Sequence, residues 1–247
     1  MEYTQNRAIK KYELTNETIT LPFSGKTLHR IRALIDFGLV KKGDLGGFIE
    51  REFNLAHDGN CWVGYNATIC DSARVFDSAY VYDKAFVFGC AQVHGDARVH
   101  GDALIFGNAE VFDSAKVHGY AHIYDNAQVY GHAQVYDHSL IFDNAEVFDS
   151  AKVHGYTRIY SNANICGYAQ VFDNAVIFDN AEVYGHAEVY GQAQVYNNAK
   201  IYDHAKVYNA EVFDNAQIYD NAAICDDSVV CDNARVYKDA KDRKSVV

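Results

Sequence analysis

The chain has 247 residues, 49% of them hydrophobic, and a formal net charge of −11 at neutral pH. No stretch approaches the roughly 20 apolar residues that a membrane span needs, and the first residues, Met1 to Asn6, lack the apolar core of a signal peptide. The six cysteines are scattered without CxxC knuckles, so a reduced, cytoplasmic setting is expected rather than a disulfide scaffold.

Residues 1–62 are almost neutral, with nine Lys and Arg against eight Asp and Glu. Within them Thr27 to Phe37 alternates. Ile31, Ala33, Ile35 and Phe37 share one side and Arg30, Arg32 and Asp36 the other, which predicts an amphipathic strand. Gly43-Asp44-Leu45-Gly46-Gly47 reads as a turn ahead of Phe48-Ile49 and a polar stretch to Trp62. Open ends of repeat arrays expose unpaired backbone, so residues 1–62 are expected to be a β cap that joins the first coil around Trp62.

From Val63 onward one six-residue phrase recurs: an aliphatic, an aromatic or His, Asp or Gly, a small polar residue, Ala, and a variable residue. Val111-Phe112-Asp113-Ser114-Ala115-Lys116 is one copy. The aliphatic position runs Val63, Ile69, Val75, Val81 without a break to Val207, and the small position runs Ala67, Ala73, Ala79, with Ser139, Thr157 and Ser228 as substitutes. A fixed period of this kind is the signature of a solenoid, which grows by adding coils and not by enlarging one core. Val and Ile would stack as interior columns, and Ala would fit where the chain bends. Asp113, Gly119, Asp125 and Gly131 fall where a corner needs positive φ.

Such large-then-small hexads resemble the repeat of left-handed parallel β-helix proteins, in which three hexads make a triangular coil. The resemblance implies an all-β, left-handed parallel β-helix over 63–240, of about ten coils. At a spacing of ~4.8 Å per coil the rod is roughly 48 Å long. Residues 241–247 then form a basic tail. One copy is a residue short, Val207-Tyr208-Asn209-Ala210, which predicts a tightened corner.

Residues eighteen apart then share a face. On the second face the column after the aliphatic contains Phe88, Phe106, Tyr124, Phe142, Tyr160, Phe178 and Tyr196, and the column before it contains Phe86, Leu104, Leu140 and Val176. The other two faces carry Arg98, Lys116 and Lys152, or Glu110 and Glu146, in the second column. These eleven second-face residues are therefore the expected interface, covered by a twin subunit, by a protein partner or by the N-terminal segment.

The N-terminal phrases Tyr12-Glu13-Leu14-Thr15, Gly43-Asp44-Leu45-Gly46-Gly47-Phe48-Ile49 and Gly59-Asn60-Cys61-Trp62-Val63, running into the hexads, are similar to the YdcK-like family of bacterial and phage-associated hexapeptide-repeat proteins. Members are often labelled transferase or polymer-forming protein, and the resemblance carries no established catalytic residues.

Function is expected from the surface. Residues 63–234 hold eight Lys and Arg against twenty-three Asp and Glu, which disfavours direct binding to nucleic acid. An acidic scaffold that self-associates as a dimer or trimer, or captures a protein, is the leading expectation, with a nucleic-acid mimic or phage-type inhibitor as a variant. The alternative is a hexapeptide acyltransferase using an acyl-CoA between subunits. That class interrupts a coil with a loop bearing a catalytic His, and no insertion breaks the tract from Val63 to Val207. No cofactor and no catalytic residue is assigned. His100 and His118 lie one coil apart, and γ-class carbonic anhydrases bind zinc on this fold, but the ligand pair five residues apart that marks that class is missing here. Stacked surface histidines are the expectation, and single corner aspartates such as Asp137, Asp143 and Asp149 are expected to serve turns and not calcium.

Overall fold

The structure is a computed structural model that describes residues 10–22 and 24–242. Past an N-terminal cap, the chain winds as a parallel β-solenoid of about ten turns, as the hexads require. Each turn has three strands, mostly of two residues. Arg98–Val99, Leu104–Ile105 and Glu110–Val111 are successive examples on the first, second and third faces. Each strand pairs in parallel with its copies one lap away, as Arg98 does with Tyr80 and Lys116.

The interior is built from the two small-period columns. Val and Ile of every hexad are buried, and so are the alanines, from Ala67 to Ala222. Burying one Val or Ile side chain contributes about 1.5–3 kcal/mol, and the columns repeat that gain in each strand. Where the Ala column carries a hydroxyl, a local acceptor satisfies it. Thr157 donates to Ser139 at 3.1 Å, Ser139 donates to the Tyr136 carbonyl at 2.8 Å, and Ser228 donates to the Cys225 carbonyl at 2.6 Å.

Corners turn through the left-handed region, as the sequence predicts. Asp113 has φ 55° and Gly119 φ 70°. Aspartate is suited to this position for a second reason: its carboxylate accepts the backbone N–H of the corner residue one lap on, as Asp71 does from Gly89 at 3.0 Å and Asp143 from Ser161 at 3.1 Å. The corner aspartates therefore serve the turns.

The short copy is a tightened corner. In regular corners the fourth hexad residue donates its N–H to a backbone carbonyl of the next lap, as Asn174 does to Gly191 at 2.9 Å. At the shortened lap the Asn209 side chain supplies that acceptor, taking the Gln192 N–H on Oδ1 at 2.8 Å, while its own carbonyl takes the Asp227 N–H at 2.9 Å.

Among the described residues the cap has three strands, β1 (Tyr12–Thr20), β2 (Thr27–Ala33) and β3 (Leu45–Ile49). β1 and β2 are antiparallel, β2 pairs antiparallel with β3, and β3 joins the second face in parallel through Phe48↔Thr68 and Ile49↔Ile69. Leu55 bridges Val75 on the third face and Trp62–Val63 pairs with Tyr80–Val81 on the first, so residues 48–63 make an irregular opening lap. The expected strand Thr27–Phe37 is shorter than predicted. It ends at Ala33, the chain turns at Gly38 (φ 50°), and Ile35 is 38% exposed instead of lying on the buried side. Leu28, expected on neither side, is fully buried.

The turn predicted over residues 43–47 is also narrower. Gly46 and Gly47 belong to β3 because β3 lies against Trp62 and Val63: a Cβ on Gly46 would sit 2.5 Å from Ile31 Cγ1, and one on Gly47 would strike the Ala67 carbonyl oxygen. Of the predicted tail, Lys241–Asp242 is a strand paired with Ala223–Ile224, and 243–247 lie outside the described residues.

Candidate interaction face

The stacking of laps turns every surface position into a column. On the second face Phe88, Phe106, Tyr124, Phe142, Tyr160, Phe178, Tyr196 and Phe213 form one continuous ladder with ring centroids 4.8–5.1 Å apart. Parallel rings at this distance shield each other's faces and leave their edges outward, so each ring is half-buried. Beside them Phe86, Leu104, Leu140 and Val176, also half-buried, interleave with His122, Arg158 and Gln194 in the adjacent column. The eleven residues expected at the interface thus share one sheet and one outward surface.

Among the described residues the N-terminal segment meets this strip only at its start. β1 to β3 extend the same sheet, and the outward Leu28, Phe48 and Cys70 form a small buried cluster against which Ile19, Leu21, Phe86 and Phe88 pack. Among the described residues the cap does not fold across the strip from Leu104 onward.

The first face carries a mixed ladder, Tyr82, His100, His118, Tyr136, His154 and Phe172, with His100 and His118 4.8 Å apart and 13° from parallel. Face-to-face stacking places these imidazoles as ladder rungs. Burial by neighbouring rungs holds His100, His118 and His154 below the ordinary histidine range, and the charge of His118 adds to this at His100.

Corner columns also repeat with the lap, one of asparagines beyond those the sequence analysis singled out and two that hold the corner histidines. Asparagines at the fourth hexad position recur every lap on the corner after the second face, and each donates its side-chain amide to the next: Asn108 to Asn126 at 3.0 Å, then Asn144, Asn162, Asn180 and Asn198 in turn, and Asn198 to Asn215 at 3.3 Å. The later rungs, Asn162, Asn180, Asn198 and Asn215, line an open polar groove of about 750 Å³ with Asp179, Asp214 and Asp232. Aromatic corner residues also stack, Tyr120 on His138 on Tyr156, and Tyr168 on His186 on His204, with all three tyrosines more than half exposed.

Where the cap meets the second face, Glu50, Cys70 and Asp71 bring three potential metal-ligating atoms together. The Lys26 ammonium already stands there, paired with Asp71 and with Glu50 at 3.4 Å, so the carboxylates have their counter-charge. Burial pushes the Cys70 thiol up to about 11, which keeps it protonated at neutral pH. No helix among the described residues is long and apolar enough to cross a membrane.

Neither a scan against protein-family models nor a search of curated proteins returns a match to this chain.

Proposed function

We propose that this protein is a non-catalytic acidic scaffold that works by burying its second face against a second copy of itself or against a partner protein. One observation carries the reading: the ladder from Phe88 to Phe213 runs unbroken beside Phe86, Leu104, Leu140 and Val176, and beyond the first rungs the cap leaves this strip uncovered among the described residues. Apolar strips of this length on soluble proteins mark interaction sites. The interior columns reinforce the scaffold reading, because a repeat core closed by Val, Ile and Ala leaves a stiff rod that meets other molecules through its surface.

The YdcK-like resemblance and a cytoplasmic setting belong to the same proposal. Six scattered cysteines, with no disulfide among the described residues, fit a reducing compartment. The acidic tract, net minus fifteen over residues 63–234, suits capture of a basic protein by long-range attraction.

The test is sedimentation of the wild-type chain against a Leu104→Glu/Leu140→Glu variant. The expected result is a wild-type oligomer, or a complex with a captured protein, that the variant loses while keeping its β circular dichroism. A wild-type monomer whose partner binding ignores the substitutions overturns the reading. A trimer with a melting temperature raised by coenzyme A would favour the acyltransferase instead.

A further inference from the structure

Beyond the scaffold reading, the cap contains a buried pair that its packing does not explain. Lys11 is 1% exposed, and among the described residues no other Lys, Arg, Asp or Glu is classed as buried. Among those residues no carboxylate forms an ion pair with it. Its ammonium faces the carbonyl oxygens of Asp58 and Gly59 at 3.2 and 3.3 Å, the Phe37 ring at 4.9 Å, and the Sγ of the fully buried Cys61 at 3.1 Å. Burying a lysine away from water is costly, and two carbonyls and a thiol are weak compensation for a full charge. An amine and a thiol in contact, both sealed from bulk water, do form a reactive set.

We propose that Lys11 and Cys61 form a reversible N–O–S cross-link, in which one oxygen atom joins Lys11 Nζ to Cys61 Sγ and fastens the N-terminal edge of the cap to the opening lap. A single bridging atom fits the gap with little movement. The oxidant is dioxygen. An N–H and the S–H bond break, N–O and O–S bonds form, and the nitrogen and sulfur each give up two electrons. One oxygen of the dioxygen stays in the bridge, and the other leaves as water with the two hydrogens. Thiol reductants return four electrons and release amine, thiol and water. Burial, the largest influence on Cys61, pushes its thiol up and bars large or charged oxidants, so a small neutral molecule is the reagent that fits. The bridge would join positions fifty residues apart and close the loop that contains β1, β2 and β3.

The test is peptide mapping by mass spectrometry of the full chain, kept either under argon with dithiothreitol or in dioxygen-saturated buffer. The expected product in oxygen is a peptide pair joined through Lys11 and Cys61, heavier than the separate peptides by one oxygen and lighter by two hydrogens. Excess dithiothreitol should reverse it. Cys61→Ser and Lys11→Arg should abolish the pair and Cys70→Ser should retain it. Where a variant fails to fold, the wild-type map and its reversal decide alone. Recovery of both peptides unlinked after oxygen exposure, or of Cys61 only as sulfinic or sulfonic acid, overturns the proposal.

Discussion

The side chain of Asn209 accepts the backbone N–H of Gln192 at 2.8 Å, taking the place of the carbonyl that the shortened lap cannot supply. Asn209→Ala should therefore leave that donor to solvent and loosen the corner, at a cost of about 1 kcal/mol. Asn209→Asp, which keeps an acceptor, should cost less. Hydrogen exchange should localise the effect, with the Gln192 and Asp227 amides losing protection first. Unchanged exchange at both sites would refute the assignment.

Gly47 is packed so that any side chain meets the Ala67 carbonyl and Val63 Cγ1. Gly47→Ala should destabilise the cap by roughly 1–3 kcal/mol or more and detach β3 from the second face. Trp62 is the sole tryptophan and is 2% exposed, so its fluorescence should shift to the red as the opening lap frays. Gly25→Ala, at a position with no neighbour within 4 Å but a φ of 67°, serves as the comparison in which only backbone strain acts.

Ser139 and Thr157 replace alanine in successive laps and share a hydrogen bond at 3.1 Å. Removing Ser139 alone should cost more than removing both, because Thr157 loses its acceptor while still buried, whereas Ser139 keeps the Tyr136 carbonyl when Thr157 is removed. In a double-mutant cycle Ser139→Ala alone should lose about 1 kcal/mol, and Ser139→Ala/Thr157→Ala should recover much of it by restoring the apolar column. Additive losses in denaturant melts would contradict this.

His100, His118 and His154 in their ladder, and His122 between Leu104 and Leu140, are each held below the ordinary value of 6.5, chiefly by burial. The unfolded chain therefore binds protons at a pH where the folded rings remain neutral. Stability should fall as pH drops through 6.5 and level off once the folded imidazoles protonate. His118→Phe keeps the rung and removes one titrating group, so thermal melts across this range should show a shallower slope for the variant.

Much of the fold was legible because a six-residue phrase constrains three things at once: an inward aliphatic, a corner tolerant of positive φ, and a small residue where the chain turns. Val111, Asp113 and Ala115 each do what their position in the phrase requires, and the same arithmetic placed Phe88, Phe106 and Tyr124 in one column. The asparagine ladder from Asn108 to Asn215 was equally periodic, but its signal sits at an exposed polar position where many residues are tolerated.

The cap is different, because it has no period to count. Composition showed alternation near Ile31, but it could not show that Gly46 and Gly47 are strand residues pressed against Trp62 and Ala67, nor that Lys11 reaches Cys61. Those facts depend on segments distant in the chain meeting in space. In a repeat, neighbours in space follow from spacing in sequence, and the residues alone decide the winding, its faces and its corners. In the cap, contacts between Lys11 and Cys61 or Lys26 and Asp71 span up to fifty residues with no repeat to relate them, so only the tertiary structure could decide them.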